Sequence, residues 1–199
     1  MLNYFFQNMS LNCCMKKLIL TILALFCSQM ISFSEEIYFD NENYKLKFSA
    51  AAPSTGGYGN EYFKGNEGVL DWTKMVGVYH YPNENDPLKY ADNFDEIVEN
   101  SENCVLLKIV ENKKDDKAVM SFLVNGCEQS KKYFEYDVYK FEKHNSKGMI
   151  VSKYAKKYFF SNNNEIENIA KQVKENNDKY LEMLIISQTP DVIEKDIKN

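Results

Sequence analysis

His80 is the residue whose type and position in this chain best suit catalytic chemistry. It ends a predicted buried strand between Tyr79 and Tyr81, and Asp86 follows shortly after it in the sequence. A histidine held by a carboxylate can act as a general base, and Asp71 or Asp86 could supply that carboxylate. The alternative is a partly exposed, hydrogen-bonded histidine without a catalytic role. The alternative is favoured because a catalytic site needs convergent geometry that one sequence does not establish.

Other signatures of chemistry are missing from the sequence. It contains no phosphate-binding loop, nucleophile elbow, HExxH motif or dinucleotide fingerprint. The second histidine, His144, falls in a predicted turn and is expected at the surface. Since no Cys and His residues cluster, neither a zinc site nor another cofactor is predicted. His80 and Asp86 remain the candidate catalytic residues, and no metal ligand is assigned.

Cys104 and Cys127 are predicted to form a structural disulfide. Residues 104–111 and 117–125 are β-branched and apolar enough to be strands, and a two-residue loop at positions 115–116 would place the two cysteines directly opposite each other. Directly opposed Cβ atoms lie about 4.5–5.5 Å apart, near the separation that a bridge needs. The alternative, a redox-active pair, favours Cys-x-x-Cys spacing, which is absent here.

Residues 1–34 have the pattern of a secretory signal peptide with an N-terminal extension. Two lysines precede an apolar run of ten residues, 18–27, and small residues follow at Ser32 and Ser34. This order of basic, apolar and small residues is typical of a cleaved export signal. Cleavage is predicted between Ser34 and Glu35, which places the protein in the periplasm or outside the cell.

Three features of the N-terminus leave alternatives open. Met15 lies directly before the lysine pair, so translation could begin at Met1 or at Met15. A membrane anchor is disfavoured because a spanning helix needs about 20 apolar residues. Lipid attachment at Cys27 is disfavoured because Phe26 stands where a small side chain is required. No transmembrane span is predicted after residue 34.

The composition of the chain argues against nucleic acid as its partner. The chain has 199 residues and a formal net charge of -5, and all 24 of its basic residues are Lys. An acidic chain without Arg lacks the basic footprint and the bidentate donors that nucleic acids require, so no nucleic-acid partner is predicted. The expected partner is an envelope protein or a small ligand.

Hydrophobic periodicity predicts one α+β domain over residues 35–187, followed by a charged C-terminal tail, 188–199. Asp86 and Pro87 give an N-cap and a first-turn proline, which predict a helix to about Asn100. A second helix is predicted at 164–187. The predicted fold is a mostly antiparallel sheet of five to six strands with both helices packed on it, and its strands are 44–50, 70–81, 104–111, 117–125, 132–143 and 149–160.

A long Gly-rich segment, 51–68, is predicted to be a loop. Long loops in compact domains are often functional or mobile, and the alternative is a plain solvent-exposed connection. Tyr and Trp rings combine an apolar body with a polar group, which suits contacts that are partly exposed to water. Tyr58, Tyr62 and Trp72 are therefore candidates for a ligand or partner surface. The alternative role for the many aromatic residues is cross-strand packing beneath a helix.

The segments DWTKMVGVYHYPNENDPLKYADN, YFEYDVYKFEKH and YAKKYFF resemble small exported proteins of Gram-negative bacteria whose activity is not characterised. The resemblance covers most of the chain after residue 34, and it implies no active site, so no functional residue transfers from it. The predicted order of elements also resembles that of Mog1/PsbP-like domains, in which helices flank a sheet. Fold alone does not determine function.

Two functions are therefore predicted. The first is a non-catalytic binding or accessory module of the periplasm or cell envelope. The second is an envelope hydrolase that uses His80 with a nearby carboxylate. The first is preferred because no catalytic motif occurs in the sequence.

Overall fold

A computed structural model describes residues 35–53 and 55–198 of the chain. The predicted signal peptide, with Met15 and Cys27, lies outside the described residues. The elements of the described part are β1 (Glu36–Phe39), β2 (Glu42–Ala52), β3 (Gly57–Lys64), β4 (Lys74–Tyr81), α1 (Pro87–Glu99), β5 (Cys104–Asn112), β6 (Lys117–Glu128), β7 (Lys131–Lys143), β8 (Met149–Phe160), α2 (Asn163–Ile186) and β9 (Ile197–Lys198).

The strands form one antiparallel sheet in the order β1-β2-β3-β4-β8-β7-β6-β5, and the short β9 pairs with β2. The α+β class and the two helices packed on an antiparallel sheet are confirmed. The predicted number of five to six strands is wrong, because eight strands lie in the main order. Sequence patterning missed β1 and β3.

The Gly-rich segment is a strand for most of its length, so the predicted loop at 51–68 is wrong. The glycines of β3 lie against β4 rather than in a turn. A Cβ atom on Gly57 would come within 1.7 Å of the His80 carbonyl oxygen, and one on Gly59 within 2.9 Å of the Tyr79 ring. Glycine is therefore required here by close approach of the neighbouring strand, and its presence misled the sequence prediction.

The α1 helix begins where the sequence predicts. The Asp86 carboxylate accepts a hydrogen bond from the Lys89 backbone N–H at 3.0 Å, and Pro87 occupies the first turn. This contact satisfies one of the backbone donors that a helix start leaves unpaired. The α2 helix begins in the same way at Asn162, which accepts from the Glu165 N–H at 3.1 Å.

The sheet separates two apolar layers. The layer beneath α2, here the α2 face, has a fully buried centre of Val78, Tyr136, Val138 and Tyr154. The layer beneath α1, here the α1 face, is built in its apolar part around Met120, Phe141 and Val151. In the described residues, neither helix is long and apolar enough to cross a membrane.

The C-terminal segment packs against the sheet instead of forming the predicted charged tail. Val192 is buried in the α2 face, and the Ile193 backbone N–H donates to the Asn60 side-chain oxygen at 2.5 Å. Ser49 also donates from its hydroxyl to the Ile193 carbonyl at 2.9 Å. Buried polar partners on β2 and β3 thus hold the segment, which the local excess of charge did not indicate.

The predicted register of the β5–β6 hairpin is wrong. The strands pair Asn112 with Lys117 around a four-residue turn, and Cys104 lies opposite Val124 rather than Cys127. The Asn112 side chain explains this turn, because its oxygen accepts from the backbone N–H groups of residues 114 and 115. Both cysteines are free thiols in this structure. A separation of three positions along a strand, about 10 Å, exceeds what a disulfide spans.

Candidate functional site

His80 does not form the predicted pair with Asp71 or Asp86. It lies near the end of β4, and its Nε2 donates to the Lys147 carbonyl oxygen at 2.9 Å. Asp86 caps α1, while Asp71 accepts from the Gly68 N–H at 2.8 Å near the opposite end of β4. Among the described residues, therefore, no carboxylate contact orients His80 as a general base.

The contacts expected of His80 are found at His144 instead. Its Nε2 lies 2.9 Å from the Asp191 carboxylate, and its Nδ1 lies 3.0 Å from the Ser146 hydroxyl. Because a carboxylate only accepts, Nε2 carries the hydrogen, and in the neutral ring Nδ1 accepts from Ser146. The His144 side chain is 13% exposed, so it lies at the surface but is more enclosed than a turn residue usually is.

The two imidazoles lie together at one end of the sheet. The His80 and His144 ring centroids are 4.3 Å apart. A polar cavity of about 470 Å³ adjoins them, lined by His144 and Asp191 together with the lysines at positions 117 and 143. Sequence reasoning could not find this cluster, because Asp191 follows His144 by 47 residues and arrives through the folded C-terminal segment.

A second group of ionisable residues lies buried in the α1 face. The Lys153 ammonium is 3.0 Å from the Glu135 carboxylate and 3.1 Å from the Asp137 carboxylate, and the Lys153 residue is only 9% exposed. Burial raises the pKa of Asp137 to about 7 against the attraction of Lys153, and the neighbouring Glu135 adds to the rise. This group therefore holds a proton near neutral pH.

Tyr79 and Glu61 extend the buried charges across the neighbouring strands. The Tyr79 hydroxyl donates to Glu61 at 3.1 Å, and burial raises the pKa of the Glu61 carboxyl. The Tyr79 ring lies flat over two glycines, since a Cβ atom on Gly77 would meet its hydroxyl at 2.6 Å. The ionisable side chains of the α1 face thus pair with one another, as buried polar groups must.

A cleft opens at the end of the sheet opposite the histidines. Its volume is about 240 Å³, and this Trp72 cleft is lined by the apolar Leu70, Trp72 and Phe159 and by the polar Asp71, Glu128, Gln129 and Lys131. Leu70 is 83% exposed and Phe159 44% exposed. Large apolar side chains that remain exposed together, with polar residues around them, are typical of a binding surface.

The Trp72 ring packs against a buried lysine, Lys157. The Lys157 ammonium lies 4.3 Å from the centre of the Trp72 ring and 4.9 Å from that of Tyr133. Glu128 binds the same ammonium at 2.9 Å, and the Lys157 side chain is only 7% exposed. Cation–π contacts of a desolvated lysine are stronger than exposed ones, so the ring has a fixed orientation before any ligand arrives.

The predicted surface of Tyr58, Tyr62 and Trp72 does not exist as one patch. Tyr62 is fully buried in the α2 face, so its assignment to a surface is wrong. Tyr58 lies opposite His80, at the other end of the sheet from Trp72. Of these three residues only Trp72 lines the cleft. The sequence did not indicate its partner Phe159, which lies 87 residues later in the chain, and it gave no sign that the nearby Leu70 stays exposed.

The β6–β7 turn at the cleft has a backbone conformation that is unusual for its residues. Gln129 and Ser130 both have positive φ angles, 49° and 68°. Two-residue turns of this kind normally use Asn-Gly or similar residues, because other side chains adopt the left-handed region at a cost. The turn retains an amide side chain at the cleft where glycine would be easier.

Across residues 35–53 and 55–198, no group of three or more His, Cys, Asp or Glu side chains is arranged to hold a metal ion. No curated protein and no solved structure matches the chain. A protein-family model matches residues 31–188, which is most of the chain. The chain therefore belongs to the family that this model describes, a family of uncharacterised bacterial proteins.

Proposed function

We propose that this protein is an exported, non-catalytic binding module of the cell envelope that holds its ligand in the Trp72 cleft. One observation carries the proposal: an apolar floor of exposed side chains is surrounded by polar groups in a concave site. Such a combination is characteristic of sites for small ligands. The partner is an envelope ligand, and no nucleic acid is expected.

The rigidity of the cleft supports binding as its role. Lys157, packed between the Trp72 and Tyr133 rings and paired with Glu128, fixes the floor before binding. A site ordered in advance loses less conformational entropy when it takes a ligand, so more of the contact energy appears as affinity. A structural role alone gives no reason to leave Leu70 exposed at the rim.

Export is supported by the signal-peptide pattern of residues 1–34 and by the resemblance to exported proteins. The likeness of the element order to Mog1/PsbP-like domains stays a prediction. The protein isolated from its native envelope should begin at Glu35 when its N-terminus is sequenced. A full-length chain recovered from the cytoplasm would contradict export, and it would leave the proposal of a binding site unaffected.

The cleft contains the only Trp of the chain, so Trp emission, excited selectively over the 14 Tyr, reports on this site alone. We expect a saturable change in emission when soluble envelope extract is added. Trp72→Phe removes the signal and Leu70→Ser weakens retention of the chain on immobilised envelope material. Tyr38→Ala, which removes an exposed aromatic ring elsewhere, is the matched control and should bind like the wild type. Equal retention of all three variants would contradict the proposal.

A second candidate function rests on the hydrogen-bonded chain Ser146–His144–Asp191. In an acyl transfer, the Ser146 oxygen would attack an ester carbonyl while its proton passes to His144 Nδ1, and Asp191 would hold the imidazole through Nε2. His144 would return the proton to the leaving alcohol, and water would then release the acyl group. This hydrolase uses His144 in place of the predicted His80.

A fluorophosphonate reagent tests the second function directly. If Ser146 is an activated nucleophile, mass spectrometry will find the label on Ser146, and both Ser146→Ala and His144→Gln will remove it. Ser101→Ala is the control and should leave labelling unchanged. Labelling that is absent, or that persists in His144→Gln, removes hydrolysis as a candidate function.

A further inference from the structure

We infer that the ligand of the Trp72 cleft is a neutral oligosaccharide, an inference that rests on the proposed binding function. The first argument is the chemistry of the lining. Leu70, Trp72 and Phe159 form an apolar floor, and polar groups surround it. A sugar ring presents an apolar C–H face and a rim of hydroxyl groups. The C–H face can pack on the apolar floor while the hydroxyl groups meet the polar side chains around it.

The charges of the rim favour a ligand without net charge. Asp71 and Glu128 are acidic, while Lys131 and the buried Lys157 are basic, so neither sign dominates. Asp71 uses one carboxylate oxygen for the Gly68 N–H, and Glu128 uses one for Lys157. Within residues 35–53 and 55–198 no hydrogen bond reaches the other oxygen of either carboxylate, so both remain acceptors for hydroxyl groups. The Gln129 amide can both donate and accept.

A second concave site adjoins the cleft, and two adjoining sites favour a chain of sugars over a single ring. A neighbouring cavity of about 600 Å³ shares Lys131 and Phe159 with the cleft. Its remaining wall is rich in hydroxyl and amide side chains, among them Ser161 and Asn163. Phe159 thus lies between two adjoining subsites, each with groups that can bind hydroxyls.

The size of the site argues against a folded protein as the ligand. A stable protein interface buries roughly 800 Å² on each partner, mostly over a flat patch. The Trp72 cleft is a concavity of about 240 Å³ with charged groups at its rim. A purely apolar ligand would leave those charged groups partly desolvated and unpaired, which is costly.

The strained turn offers a test that separates binding from stability. Gln129 has φ 49°, a conformation that glycine adopts without cost, and it lines the cleft. Gln129→Gly should leave the melting temperature unchanged or higher, and it should weaken the affinity for saccharide several-fold. A turn with only a structural role would show no loss of affinity.

The main experiment titrates the complete chain with chitotetraose, cellotetraose, maltotetraose and the corresponding monosaccharides, using Trp72 emission. At least one tetrasaccharide should bind about tenfold more tightly than its monosaccharide. Phe159→Ala should remove that gain in affinity. Trp72→Phe, whose binding is measured by calorimetry, should weaken binding of both the tetrasaccharide and the monosaccharide. Tyr38→Ala should change neither. No Trp72-dependent response to any of the three tetrasaccharides overturns the inference.

A parallel titration with envelope extract distinguishes this inference from the proposed function. Periodate cleaves vicinal diols and destroys most saccharides, whereas a protease destroys peptides. If the extract acts through Trp72 and survives periodate but not protease, the ligand is a peptide: the saccharide inference fails and the binding function stands. If neither extract nor sugars act through Trp72, both fail.

Discussion

The two faces of the sheet bury their polar groups in opposite ways. The centre of the α2 face is neutral, with the fully buried rings of Tyr62, Tyr136 and Tyr154. Its ion pairs lie towards its ends, at Glu42 and at Lys140. The α1 face instead places a lysine and two carboxylates in its middle.

This difference predicts where the fold is vulnerable. A buried phenol removes only one hydroxyl from water, which costs less than the loss of an ion's hydration. A buried ion loses much of its hydration and depends on its partner to offset that cost. The α1 face should therefore respond strongly to the loss of a single charge, while the α2 face should respond to the loss of volume.

Lys153→Met should have the largest effect. It leaves Glu135 and Asp137 buried without a cation, and breaking a buried pair in this way costs about 3–5 kcal/mol. Urea denaturation measures the change in the free energy of unfolding. Lys108→Met is the matched control: Lys108 pairs with Asp178 at the surface, so its loss should cost about 0–1 kcal/mol. Equal effects of the two substitutions would show that the buried charges are dispensable.

Leu184→Ala should destabilise the α2 face through lost volume. Leu184 is buried on α2, and truncation of a core leucine costs about 2–5 kcal/mol. Ile186→Ala, two residues later on the same helix, removes a side chain that is 83% exposed and should cost about 0.5 kcal/mol or less. Similar midpoints for both variants in urea would contradict the observed orientation of α2.

The two faces should also differ in the sign of their pH dependence. The pKa of Asp137 is raised from 3.8 to about 7, so the folded state holds a proton that the unfolded state has lost. Its contribution to stability is full below about pH 4 and declines as the pH rises through about 7. Asp137→Asn should flatten this decline in thermal unfolding measured from pH 4 to 8. An unchanged slope would assign the proton to another group.

Glu42, on the α2 face, should act in the opposite direction. Burial opposes its ionisation, but hydrogen bonds from Lys64 and Lys74 outweigh that effect and lower its pKa to about 2. Its contribution is present above about pH 4.5 and declines as the pH falls towards 2. Glu42→Gln should therefore weaken the acid dependence of unfolding below pH 4.5 and leave the slope from pH 4.5 to 8 unchanged.

The cysteines give a prediction that is tested by chemical labelling and not by a measurement of stability. Since Cys104 lies opposite Val124 and Cys127 opposite Lys132, we expect both to be free thiols in the folded domain. Maleimide labelling of a chain that begins at Glu35, followed by mass spectrometry, should add two groups, with the exposed Cys127 reacting faster. A mass lower by two hydrogens, reversed by reductant, would instead restore the predicted disulfide and a shifted hairpin.

Local patterns predicted those parts of the fold that depend on neighbouring residues. Asp86 followed by Pro87 located the start of α1, because capping and a fixed φ act within one turn. Alternating residues predicted β7 and β8, and the apolar spacing of α2 predicted its buried stripe. The Gly-rich β3 was missed because its glycines make room for the His80 carbonyl and the Tyr79 ring, both on another strand.

The candidate sites were less predictable than the fold. Trp72 was identified from its residue type, but Phe159 and Glu128 reach it from distant segments. His80 was chosen for its position at a strand end, while the carboxylate and the hydroxyl lie at His144. Each site needs at least one side chain that is distant in sequence, Asp191 for His144 and Phe159 for Trp72, and residue spacing does not reveal such contacts.

The sequence by itself determined the α+β class, the two helices and most strands, because hydrophobic periodicity and capping are properties of short segments. The tertiary structure alone decided the strand count and the folded C-terminus. It also decided that Lys153 lies buried between two carboxylates. These features depend on which strands become neighbours, and that choice is made by packing and by paired polar groups across the whole sheet.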